Sequence, residues 1–299
     1  MLNQVNSDSS VMRPSPGFSV SESSLTSPLE SQTKPMMDTL FSIAQRSPVL
    51  FYSAIGYFVL AVLFLGLMPF ETRQVMGINL WIKPLKFALS IGIFLATLAW
   101  LLPYFRFSAS AESRYIWLTW VLFAIEMVIL TVQAGRGVQS HFNITSPVNA
   151  LMFNVMGIAI TVNTILVGYL AWKAFQDNLS LPAGFLWGLR LGLLLFVVAS
   201  LEGFVMAAQL AHSVGVPDGG PGLPLVNWST RGGDLRIAHF IGLHGLQALP
   251  LIGIVCDRFF PNSISGLAGK VTIVASLGYW VVALGLFALA MFGLPLIRR

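Results

Sequence analysis

Two carboxylates, Glu126 and Glu202, and three histidines, His141, His239 and His244, lie inside or beside long apolar runs. An ionisable side chain at membrane depth is costly and is usually kept for an ion, a proton or a substrate. A carboxylate in such a place can bind a metal or relay a proton. An imidazole can ligate iron, zinc or copper, or serve as an axial ligand of a haem. Glu126, Glu202 and His244 are therefore the expected catalytic residues, and His141, His239 and His244 the expected metal ligands. His239 and His244 are spaced His-x-x-x-x-His, about 140° apart on one helix, so they cannot form an i, i+4 chelate alone. Other helices would have to complete the set.

Basic residues border the same region. Lys83, Lys86, Arg136 and Arg236 are expected to recruit an anionic group, and Asn154 and Gln247 to add neutral contacts to the substrate. The competing reading is snorkelling to headgroup phosphates. Asp234 can pair with Arg231, Arg236 or Arg136.

These residues belong together only if the elements that carry them do. Seven apolar runs, 49–70, 84–104, 115–134, 148–172, 185–211, 236–256 and 271–294, are each long enough to span a bilayer as a helix. They are continuous rather than alternating, which excludes a transmembrane barrel. Pro48, Pro84, Pro147 and Pro182 stand at or near run starts, where a missing N–H costs little. Pro250, inside the sixth run, should kink its helix and free the carbonyl of Leu246. Seven helices alternate in direction, so loops 1–2, 3–4 and 5–6 share one face, and every histidine lies towards it.

Depth follows from the helical rise. Counted from that face, Glu126 lies about 12 Å down its run, Glu202 about 14 Å, His244 and Gln247 about 12–16 Å, and Asn154 about 9 Å. Four helices thus carry a polar group to a similar level, as a shared pocket would require. Glu126 and Gln133 fall within about 20° of each other around their helix, as do Glu202 and Gln209. Gly184, Gly188 and Gly192 form a row that lets another helix approach, and Gly278 and Gly285 suggest a second close approach on the last span.

Composition agrees. Apolar residues make up 56% of the 299 and charged residues only 10%, too few charges to cover a water-soluble surface. The net charge of +5 then reads as loop charge near lipid, with no nucleic-acid partner implied. The single cysteine, Cys256, excludes an intrachain disulfide. Residues 1–47 contain 12 serines and no long apolar run, which predicts a disordered tail. Its end, 37–44, has helical spacing suited to a membrane surface.

The expected fold is an all-α integral membrane bundle of about seven transmembrane helices, with a tail over 1–47 and the transmembrane domain over 48–299. Lysine and arginine divide evenly between the faces, so the positive-inside rule is silent. A polar tail without a signal peptide favours a cytoplasmic N-terminus, and the expected location is a bacterial inner membrane. The functional expectation is a metal- or haem-dependent membrane enzyme acting on a lipid-soluble or anionic small molecule. The alternatives are a proton-coupled small-solute transporter and a non-catalytic assembly or sensor subunit.

Overall fold

The computed structural model describes residues 42–261 and 266–298. The expected tail up to residue 41, and most of the expected surface helix of 37–44, lie outside the described residues; residues 43–46 are helical. The compact unit begins at Ile43. Its helices are α1 (Pro48–Leu67), α2 (Ile82–Leu101), α3 (Ala109–Gly135), α4 (Pro147–Gln176), α5 (Ala183–Gln209), α6 (Leu235–Phe259) and α7 (Leu267–Met291). With short 3-10 turns lengthening α1 and α2, all seven are long and apolar enough to cross a membrane, at mean hydropathies between 1.5 and 2.2. The chain is a multi-pass integral membrane protein. Large apolar side chains such as Val274 and Val281 (each 70% exposed) face outward, where lipid takes the place of a packed neighbour.

Helix starts are fixed by local chemistry. Pro48 and Pro147 occupy first helical positions. Ser108 and Ser146 accept hydrogen bonds from Ala111 N and Asn149 N, capping α3 and α4. α5 has no cap of its own. Asp257 near the end of α6 supplies one, its two oxygens accepting from Gly184 N at 2.8 Å and Phe185 N at 2.7 Å. A carboxylate at a helix N-terminus also suits the macrodipole. α6 runs unbroken through Pro250.

The tightest contact joins α5 to α6, and glycine makes it possible. A Cβ on Gly184 would lie 2.5 Å from Gly253 O, on Gly188 2.2 Å from Leu249 O, and on Gly192 2.8 Å from Gly245 O. The two backbones touch, and α6 contributes its own glycines in return. This is how membrane helices gain packing energy when lipid is as apolar as leucine. The second expected approach does not occur. Gly278 and Gly285 are exposed and have nothing within 4 Å, because that side of α7 faces outward.

Three loops cover one end of the bundle. Loop 1–2 contains β1 (Gln74–Val75) and β2 (Ile78–Asn79), joined by Met76-Gly77 with φ of 54° and 76°, the two positive values of a type I′ turn. Asn79 fastens this hairpin by donating to Met68 O and Glu71 O. In loop 5–6, β3 (Ser213–Val214) pairs with β4 (Gly233–Asp234) and ties the end of α5 to the start of α6. Loop 3–4 closes between them: Arg73 Nη1 donates to Gly135 O at 3.2 Å, and the Phe142 and His212 rings lie 4.8 Å apart.

Candidate functional site

Glu126 sits on α3 nine residues before Gly135, about 13 Å below the capped end at the usual helical rise. Its residue is 4% exposed. Loop 3–4 drops His141 onto it, with Nε2 3.5 Å from Glu126 Oε1. That is at the outer limit of a hydrogen bond and close enough for a proton to pass after a small movement. The loop reaches this position through Phe142, whose φ of 59° is rare for a bulky residue and turns the chain sharply. His141 also meets Ser140 Oγ at 3.1 Å through Nδ1 and packs on Phe87 at 5.5 Å. Glu126 Oε2 has no hydrogen-bond partner.

Lys83, on the first turn of α2, completes this centre. It lies within electrostatic range of both Glu126 and His141. Burial, aided by the neighbouring basic groups Lys83, His212 and His239, pushes the His141 pKa well below its ordinary value. The imidazole is therefore neutral at neutral pH.

A second imidazole–carboxylate pair stands beside the first. His212 Nδ1 is 2.8 Å from Asp218 Oδ2, and the amides of His212 and Ser213 donate to the same carboxylate at 2.8 and 2.7 Å. Burial opposes ionisation of Asp218, yet these bonds hold its carboxyl well below the usual range. Burial also lowers the pKa of His212, against the pull of Asp218.

The remaining expected site residues divide differently. His239 sends Nδ1 to Ala199 O at 2.7 Å across the α5–α6 contact. His244 bonds Phe240 O of its own helix at 2.8 Å and stacks on that ring. Arg136 donates to Gln133 Oε1 at 2.6 Å and Asn149 Oδ1 at 3.0 Å, joining α3 to α4. Arg236 grips Asp234, its helix cap, and the Asn227 carbonyl. Lys86 donates to Val226 O at 3.3 Å, and Gln247 to Thr97 Oγ1 at 3.0 Å. Apart from the His244 bond within its own helix, these bonds anchor a loop or a helix pair.

Glu202 and Asn154 stand apart. Glu202 is 6% exposed, Oε2 lacks a hydrogen-bond partner, and the residue makes no ion pair among the described residues. Glu126 and Glu202 form no carboxylate pair: Glu126 has His141 and Lys83 as neighbours, and Glu202 has neither. Asn154 is exposed and lines an outward groove of about 550 Å³ between α4 and α5, with Phe153, Thr161 and Phe204. Asn154 shares the depth of the pocket, but its phase around α4 turns it outward.

His212 and His239 lie within electrostatic range of His141, while His244 is bonded to its own helix. Among the described residues no group of three or more His, Cys, Asp or Glu side chains is placed to hold a metal ion. What the geometry gathers is Lys83, Glu126, His141, His212 and Asp218, a set suited to holding and shifting a proton next to a positive charge. Sequence reasoning missed Asp218, which lies in a Pro-Asp-Gly-Gly loop with no periodic pattern to mark it. Comparison with family profiles, with curated proteins and with solved structures found no match to this chain.

Proposed function

We propose that this membrane protein exchanges protons at the Glu126–His141 pair, as the coupling site of a transporter for an anionic or amphiphilic small solute. The observation that carries the reading is the pair itself: a buried carboxylate with one oxygen 3.5 Å from a neutral imidazole and the other without a partner. A proton held on Glu126 can pass to His141 through a small rotation of either side chain. Lys83 beside them offers a donor to an arriving anion. Loop 3–4 supplies the imidazole, so movement of that loop would open or break the relay. This reading ranks above a metal- or haem-dependent enzyme, because His141, His239 and His244 are held on separate partners.

The test uses the full chain in liposomes loaded with a pH-sensitive dye, with a potassium diffusion potential as driving force. The pair exchanges its proton whether or not a solute is bound, so wild-type protein is expected to acidify or alkalinise the lumen with the sign of the potential. Glu126→Gln should lower the rate at least tenfold while leaving the unfolding temperature within a few degrees. Equal rates in wild-type and E126Q liposomes would overturn the proposal.

A further inference from the structure

Below Glu126 the bundle contains polar groups that the pair does not use. On α3, Gln133, Glu126 and Thr119 recur every seven residues, two turns less about 20°, and so share one stripe. Tyr115 lies one further turn along the same side. All four are at most 5% exposed. On α4, Asn149, Met156 and Asn163 form the matching stripe, at 5%, 2% and 1%.

One hydrogen bond sets the register between these stripes. Gln133 Nε2 donates to Asn149 Oδ1 at 3.1 Å. α3 and α4 run antiparallel, so equal steps from that bond reach equal depth. Seven residues on, Glu126 is level with Met156. Fourteen residues on, about 21 Å deeper, Thr119 is level with Asn163. The same register brings Tyr115 level with the turn of Leu166, and both line a cavity of about 320 Å³ at the opposite end of the bundle, with Phe107 and Arg114.

The deep groups lack protein partners. Thr119 Oγ1, Asn163 Oδ1 and Nδ2, Tyr115 Oη and Glu126 Oε2 are buried with no hydrogen bond. Tyr115 and Thr119 interact through their hydroxyls at the edge of hydrogen-bond geometry, which leaves donor or acceptor capacity unused on both. Thr119 is unusual among the membrane threonines. Thr97, Thr131, Thr161, Thr164 and Thr272 each donate to the carbonyl four residues earlier, the ordinary way to satisfy a hydroxyl in an apolar helix. Asn163 alone offers two donors and two acceptor lone pairs. Unsatisfied groups of this kind are strongly disfavoured in a membrane unless water reaches them.

We propose that the α3–α4 seam holds a file of water molecules running from Glu126 through Thr119 and Asn163 to Tyr115, and that this file carries protons to the opposite face. The rise between Glu126 and Thr119 is about 10 Å, the span of about three waters at ordinary O–H···O spacing. The proton that leaves Glu126 enters one end of the file as another leaves the far end at the Tyr115 cavity, so charge and atoms balance. The proton-carrying role rests on the Glu126–His141 reading above; the presence of water in the seam does not.

Two measurements separate these levels. In dye-loaded liposomes, Thr119→Val and Asn163→Leu should each lower proton flux at least tenfold, and Thr119→Ser should restore it to within twofold of wild type. Flux within twofold of wild type in both T119V and N163L overturns the path. In the second, hydroxyl radicals are generated by radiolysis of water in the purified protein, and labelled residues are read by mass spectrometry. Tyr115 and Met156 should be labelled at least fivefold above Phe64, a buried α1 residue at 1% exposure. Labelling no greater than that of Phe64 overturns the water file. If wild-type protein carries no protons, the Glu126–His141 reading falls, and the labelling still decides whether the seam is wet.

Discussion

At the residue scale, protonation decides what the centre can do. His141 and His212 are both held below the ordinary imidazole value of 6.5. The folded protein then binds fewer protons than the unfolded chain in the window just below that value. Their contribution to stability is fully present above about pH 6.5 and is lost as pH falls through the lower folded values. Unfolding temperatures in detergent should therefore fall between pH 7.5 and pH 5, and His141→Gln should flatten the slope. Asp218 has the same sign in a lower window, because its depressed pKa contributes above the ordinary value of 3.8 and is lost on acidification below it. Asp218→Asn removes a charged acceptor from two amides and an imidazole and is expected to cost about 2–3 kcal/mol, measured by thermal unfolding at pH 7.5.

At the element scale, glycine spacing controls whether the site helices meet. A side chain at Gly188 would drive into the Leu249 carbonyl at 2.2 Å, which no rotamer relieves. Gly188→Val should therefore part α5 from α6, at about 3 kcal/mol or more, and remove the α5–α6 bond from His239 to Ala199. Gly278→Val is the control. That glycine faces open space, so its substitution should leave the unfolding temperature within about a degree. Both sets of glycines suggested a close helix approach as sequence. The row at 184–192 has a glycine-bearing partner in α6, and the pair at 278 and 285 has none, a difference that only packing reveals.

At the scale of the whole molecule, seven alternating helices place loops 1–2, 3–4 and 5–6 on one face and Ser110 and the Tyr115 cavity on the other. An impermeant thiol reagent should reach Leu225→Cys in loop 5–6 and Ser110→Cys at the start of α3 in oppositely oriented vesicles. Labelling of both in one preparation would contradict the topology. With the N-terminal side cytoplasmic, as the polar tail suggests, L225C is the one labelled from outside the cell. Native Cys256 is buried at 8% exposure and is expected to give little background.

The runs themselves were legible because membrane spans need only length and continuous apolarity, which are one-dimensional properties. Depth was legible for the same reason, since rise per residue is constant. The spacing of Thr119, Glu126 and Gln133 was also present in the sequence as a repeat of seven. Phase relative to a neighbour was not. Asn154 stands five residues, about 140°, from Asn149 on α4, so one faces an outward groove and the other bonds Gln133. Loop pairings were equally hidden, because His141 reaches Glu126 and Asp218 reaches His212 only after loops of irregular backbone have folded. Sequence alone determined a seven-helix membrane protein with ionisable groups towards one face. Which of those groups touch was decided by tertiary packing, because each contact depends on how two helices rotate against one another and where the loop between them comes to rest.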